Sequence, residues 1–153
     1  MEIGSIKYIN IFNIAITNIF ESIFNIKVHR KGISVIGDNK KLKDLTSIMI
    51  LKGDLYGFSL ISFSKKALTR LYLNLFGNNN IDDMLLVDLS NEILNMVMGN
   101  AKNLIIKNYN KKLVLSSPKQ FGGNISKETL ISELFIYNSE TMILGAYLKE
   151  SGI

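Results

Sequence analysis

Glu92 and Asn95, with Gly99 and Lys102 one and two turns further on, are the residues of this chain whose types and spacing point to chemistry. On a helix, side chains three and four apart stand next to each other on one face. A carboxylate at 92 and a carboxamide at 95 would therefore act on one object together. A glycine just beyond them clears space beside the pair. That is an unusual decoration for a solvated surface, and it suits docking into another molecule's active site.

The element that must carry them is a long amphipathic helix, capped by Asp82 or Asp83 and extending to about Tyr109. At about 100° per residue, Leu89, Ile93, Val97, Ala101 and Leu104, with Leu94 and Ile105, fall on one apolar arc. Glu92, Asn95, Gly99 and Lys102 fall on the opposite arc, with Met96 at its rim. A Glu and an Asn three apart are common by chance on solvated helices. The length of the whole string, Glu92 to Lys102, sets this pair apart.

Other chemistry is thin. His29 is the only histidine, sits in an expected strand and has no Cys or His partner, so a structural or solvated role is expected. There is no Ser-His-acid set, phosphate-binding loop or Gly-x-Gly-x-x-Gly fingerprint, and Asp82-Asp83 reads as a helix cap rather than a metal site. No metal site is expected. The absence of cysteine removes disulfides and thiol chemistry and fits a reducing cytoplasm. A net charge of +5 without a dense Lys/Arg run or an aromatic-interleaved basic stripe argues against nucleic acid. It favours encounter with an acidic partner. The apolar stretch over residues 5–26 is broken by Lys7, Asn10, Asn13, Thr17, Asn18 and Glu21, so neither a leader peptide nor a membrane span is expected. The expected location is cytoplasmic.

With 153 residues, 47% hydrophobic and 20% charged, the chain suits one well-buried domain over 1–153. Periodicity predicts a first long helix from about Ser5 to Asn25, then an extended segment over Lys27–Ile36 with a bulge or turn at Gly32. Gly37–Asp44 reads as a loop. Leu45–Leu51 and Leu55–Phe63 read as a hairpin, with Gly57 marking close backbone approach. Ser64 is placed to cap a short helix over Lys65–Phe76, closed by Gly77. Asn78-Asn-Asn80 is a linker. After the second long helix come a strand over about Lys112–Ser117, ended by Pro118, a flexible loop at Gly122-Gly123, and a last hairpin, Leu130–Tyr137 and Thr141–Leu148, across Asn138-Ser-Glu140. Long helix, strand and hairpin thus occur twice. The fold class expected is α+β, with two long helices on one face of an antiparallel, roughly six-stranded sheet and an internal pseudo-twofold repeat.

The string Glu-x-x-Asn-Met-x-x-Gly-Asn-Ala-Lys over 92–102 resembles the signature helix of the CheC/CheX/FliY family of CheY phosphatases. Length and layout are most similar to the CheX branch over nearly the whole chain. The resemblance implies a phosphatase acting on the aspartyl phosphate of a phosphorylated CheY-type response regulator, in chemotaxis and motility signalling. Such a partner holds its own Mg²⁺ and a lysine, so no cofactor of this chain's own is implied. What remains is to place one water in line with phosphorus. Carried over from the family motif, Asn95 would orient that water, since a carboxamide donates and accepts without titrating. Glu92 would pair with the receiver's lysine, and Gly99 would let the receiver's loops approach. Met96 and Lys102 would touch the partner. The first helix lacks a Glu-x-x-Asn pair, which implies one site per chain. The resemblance also implies homodimers joined at sheet edges. Leu130–Tyr137 and Thr141–Leu148, long and without proline, are the expected edges, and Ile11 and Ile14 are expected near the outer face of helix one. The alternative is a receiver-binding or flagellar-switch adaptor of the same fold that does not hydrolyse.

Overall fold

Local signals punctuate the helices. The Ser64 hydroxyl accepts from the Ala67 N–H at 3.1 Å to start α2 (Lys65–Phe76), and Gly77 ends it in the left-handed region at φ 62°. Asp82 starts α3 (Asp83–Tyr109) by accepting from Leu85 N–H at 2.9 Å, and Asn110 closes it at φ 52°. Of the two candidate caps, the first is used. α1 (Ile3–Ile19) runs on through one π-helical turn, Phe20–Phe24, before Asn25 turns left-handed at φ 56°. The computed structural model describes residues 3–35, 42–78, 80–123, 125, 128–137 and 139–151. Ile36, most of the loop expected over residues 37–44, and the middle of the turns at Asn79 and Asn138 lie outside them.

The strands are β1 (His29–Val35), β2 (Leu45–Gly53), β3 (Leu55–Phe63), β4 (Leu113–Leu115), β5 (Lys119–Gln120), β6 (Leu130–Tyr137) and β7 (Glu140–Glu150). All pair antiparallel, in the order β1-β6-β7-β3-β2-β4, with β5 also on β2. Among the described residues the sheet therefore has seven strands. The strand expected over Lys112–Ser117 is present as the shorter β4, ended before Pro118, whose missing N–H cannot join a ladder, and β5 is an unexpected short strand just beyond it. The expected irregularity near Gly32 is present as a register shift between Arg30 and Gly32.

Side chains alternate across the sheet. Met49, Ile61, Leu130, Leu144 and Ala146 join one large core with α1 and α3. Their neighbours Ile48, Leu60, Ile131 and Ile143 form a small cluster on the other face with Leu42, Phe58, Phe121 and Ile125. Both long helices therefore cover the same face. They run antiparallel: the Tyr8 and Tyr109 rings meet edge to face at 5.6 Å, and Asn18 meets Asn100 at 3.5 Å. No helix among the described residues is long and apolar enough to cross a membrane.

The repeat is a pseudo-twofold about the seam between β3 and β7, where Leu55–Phe63 pairs with Met142–Glu150. Exchanging β1 with β4/β5, β2 with β6 and β3 with β7 reverses the sheet order onto itself. Gly57 lies on that seam at φ 142°, and a Cβ there would collide with the Tyr147 carbonyl oxygen. Close backbone approach is thus the reason for this glycine.

Two expectations need correction. β6 and β7 are not edges: β7 lies between β6 and β3, and β6 between β1 and β7. Their long apolar character reflects burial, with Leu130, Ile131, Leu134, Ile136, Met142, Ile143, Leu144, Ala146 and Leu148 all in the interior. The free edges belong to β1 and to β4 with β5. Ile11 is also buried, at 6% exposure, whereas Ile14 is open at 53%. The helix turns Ile11 towards the sheet and only Ile14 outward.

Candidate functional site

α3 is 27 residues long, about 40 Å at 1.5 Å per residue. Leu86, Leu89, Ser90, Ile93, Leu94, Val97, Met98, Ala101 and Ile105 are its buried side. Turning the helix far enough to lift that side from the sheet would expose apolar surface. The opposite side is left to Asp88, Glu92, Asn95 and Asn103, which are exposed, and to Gly99 and Lys102, which are half-buried. The spacing that keeps Leu89, Ile93 and Val97 in the core thus lifts Glu92 and Asn95 out of it. Met96 is half-buried and packs on the core, so it forms the rim of this surface.

Among the described residues no hydrogen bond or ion pair engages the side chains of Glu92 or Asn95. Gly99 adds a separate observation. A Cβ built there meets nothing within 4 Å and its φ is ordinary for a helix, so neither packing nor backbone geometry within the chain requires glycine. Glycine inside a helix costs about 0.5–1 kcal/mol relative to alanine. The cost is accepted on the one face where two unpartnered polar side chains also stand.

The flanks of this face are tied down. Asn100, beyond Gly99, receives the amide of Asn18 from α1 at 3.5 Å. Asn91, beside Glu92, accepts from the Ser47 hydroxyl of β2 at 2.6 Å. Ser90 meets the same hydroxyl at 2.7 Å, and Gln120 of β5 donates to it at 3.1 Å. This cluster was not legible in the sequence. Its only trace in the sequence was a serine, Ser90, inside an otherwise apolar arc.

The surface carries a carboxylate, a carboxamide and open space, and among the described residues no cluster of His, Cys, Asp or Glu could hold a metal ion. His29 is exposed on the edge strand β1. Such a surface can hold a partner and orient a small molecule presented by that partner.

A profile of the family "Chemotaxis phosphatase CheX" matches residues 45–130, more than half of the chain, and the matched stretch contains α3 up to and beyond Lys102. No curated protein sequence matches. Among solved structures, the fold is similar to the chemotaxis protein CheX from Vibrio vulnificus, with a TM-score of 0.81 and 16% identity over 94% of this chain and 99% of that one. A CheC-like protein from Shewanella oneidensis aligns with a TM-score of 0.79 and 22% identity, covering 95% of this chain and 99% of that one. CheX in a complex with CheY, BeF3 and Mg²⁺ from Borrelia burgdorferi aligns with a TM-score of 0.77 and 15% identity, covering 94% and 98%.

Proposed function

This chain belongs to the chemotaxis phosphatase CheX family, and from that premise we propose that it hydrolyses the aspartyl phosphate of a CheY-type response regulator. The single observation that carries the reading is the outer face of α3. Glu92 and Asn95 stand side by side there, exposed and without partners among the described residues, next to a glycine that the chain's own packing does not need.

An aspartyl phosphate is an acyl phosphate with a good carboxylate leaving group, so the hydrolase need supply neither nucleophile nor metal. The partner brings the phosphoryl group, its Mg²⁺ and a lysine. Glu92 pairs with that lysine and sets the register of α3 on the receiver. Asn95 then holds one water opposite the leaving oxygen, its carbonyl accepting from the water and its amide fixing the geometry. The water oxygen bonds to phosphorus as the phosphorus–carboxylate bond breaks. The aspartate leaves as carboxylate and the proton of the water ends on inorganic phosphate. Gly99 admits the receiver's loops, and Met96 and Lys102 line the contact. Helix α1 lacks the pair, so each chain has one site.

A homodimer is part of this reading, supported by the resemblance to CheX-like proteins. The edges available for it are β1 and β4/β5, and joining either leaves the outer face of α3 free. The phosphatase would work in the cytoplasm, where its receiver is phosphorylated. Mixing the purified protein with phosphorylated receiver domains and following phosphate release tests the proposal. Faster release than from the receiver alone is expected. Binding without faster release would leave only a receiver-binding adaptor.

A further inference from the structure

Ser47 is fully buried on β2 beneath α3, and its hydroxyl is the hub of the polar cluster beside Glu92. A hydroxyl has one proton and two lone pairs. Asn91 Oδ1, at 2.6 Å, can only accept, so it takes the proton. Gln120 Nε2, at 3.1 Å, donates to one lone pair, and Ser90 Oγ, at 2.7 Å, donates to the other. Every bonding position of Ser47 is used. Three elements are joined at one atom: β2, β5 and the segment of α3 immediately before Glu92.

Apolar contacts set how deep a helix lies on a sheet, but they are non-directional and resist small rotations about its axis only weakly. Hydrogen bonds are directional and weaken steeply off line. A side-chain tip about 6 Å from the axis moves roughly 1 Å when the helix rolls by about 10°. A misplacement of about 1 Å can lower the rate of a reaction that depends on positioning by about 10²-fold. Asn95 lies one turn beyond Asn91, so a roll at Asn91 is transmitted to it almost in full.

We propose that Ser47, Asn91 and Gln120 form a rotational lock on α3 that sets the aim of Asn95. The proposal rests on Asn95 orienting the water, and the three are positioning residues that need not touch the receiver. A roll carries Glu92 along with Asn95, but an ion pair depends on distance far less steeply than an in-line water depends on aim, so the loss falls chiefly on the chemical step.

The test is steady-state phosphate release by Ser47→Ala, Asn91→Leu and Asn91→Asp, with Asn95→Ala alongside, together with N–H residual dipolar couplings of α3 in each folded variant. Ser47→Ala and Asn91→Leu are expected to lower kcat by roughly five- to twentyfold with KM within about twofold. Asn91→Asp keeps the accepting oxygen and is expected to recover most of kcat. The α3 couplings should change in the first two variants and return in the third. Parental kcat in Ser47→Ala and Asn91→Leu, with Asn95→Ala inactive, overturns the lock and leaves the water-orienting reading standing. Equal losses in Asn91→Asp and Asn91→Leu would mean that Asn91 acts by touching the receiver, which also overturns it. If the parental protein releases no phosphate from any receiver, the reading of Asn95 fails. The couplings then decide alone, and α3 orientation unchanged in Ser47→Ala removes the lock.

Discussion

Asn95 is exposed and, among the described residues, its side chain makes no hydrogen bond that its loss would break, so activity and stability should separate at this position. Asn95→Ala is expected to reduce phosphate release by about 10²-fold while changing stability by no more than about 0.5 kcal/mol, as for other exposed sites. Release assays and thermal unfolding on the same sample check both; release at the parental rate would end the water-orienting role. Glu92→Ala should raise KM more than it lowers kcat, because it removes an anchoring contact rather than the group that aims the water. Gly99→Ala should do the opposite of most substitutions. With open space around the new methyl it should stabilise the helix by about 0.5–1 kcal/mol and yet weaken phosphate release, and chemical denaturation beside a release assay would reveal the trade. These residues were legible because their relation to each other is local: three residues on one helix fix a shared face. The Ser47–Asn91 contact was not legible, because it joins residues 44 apart in sequence and depends on which strand passes beneath which helical turn.

The same division governs the elements. The caps at Ser64, Gly77 and Asp82 could be read in advance because each is an exchange between a side chain or a flexible backbone and the nearest helical turn. Ser64→Ala is accordingly expected to cost about 1 kcal/mol, measurable by urea unfolding. Gly57 was legible only as a backbone in close contact, and its partner, Tyr147, lies in the other hairpin. Gly57→Ala combines positive φ with a clash against backbone and should cost about 3 kcal/mol or more; a loss below about 1 kcal/mol would mean that the β3–β7 seam can relax. Strand order was where the sequence misled. An apolar strand without proline suits an unguarded edge and a buried centre equally well; β7 is central because it pairs with β3, and β6 because β1 adds itself outside it. Ile11 was misplaced for a related reason, since the arc that a helix buries depends on how deep it sits between the sheet and α3.

At the level of the whole molecule, the proposed dimer would join free sheet edges, which are those of β1 and of β4 with β5. Light scattering at micromolar concentration should give about twice the chain mass of 17.2 kDa, and an added proline in β1 should shift that value towards the monomer. A clean monomer of the parental protein would remove the dimer from the proposed function. The pseudo-twofold arrangement has a different consequence. β1 belongs to the first half of the chain by sequence, yet among the described residues it pairs only with β6 from the second, His29 against Phe135. On the other side of the sheet, β4 and β5 come from the second half and pair only with β2 from the first. Each half finishes the sheet of the other, so neither owns a complete fold. If the chain is severed after Gly77, the two pieces should each be largely unstructured alone and regain helical and sheet circular dichroism only on mixing. Fused to two separate proteins, such pieces would behave as a complementation pair whose phosphatase output reports that the proteins have met.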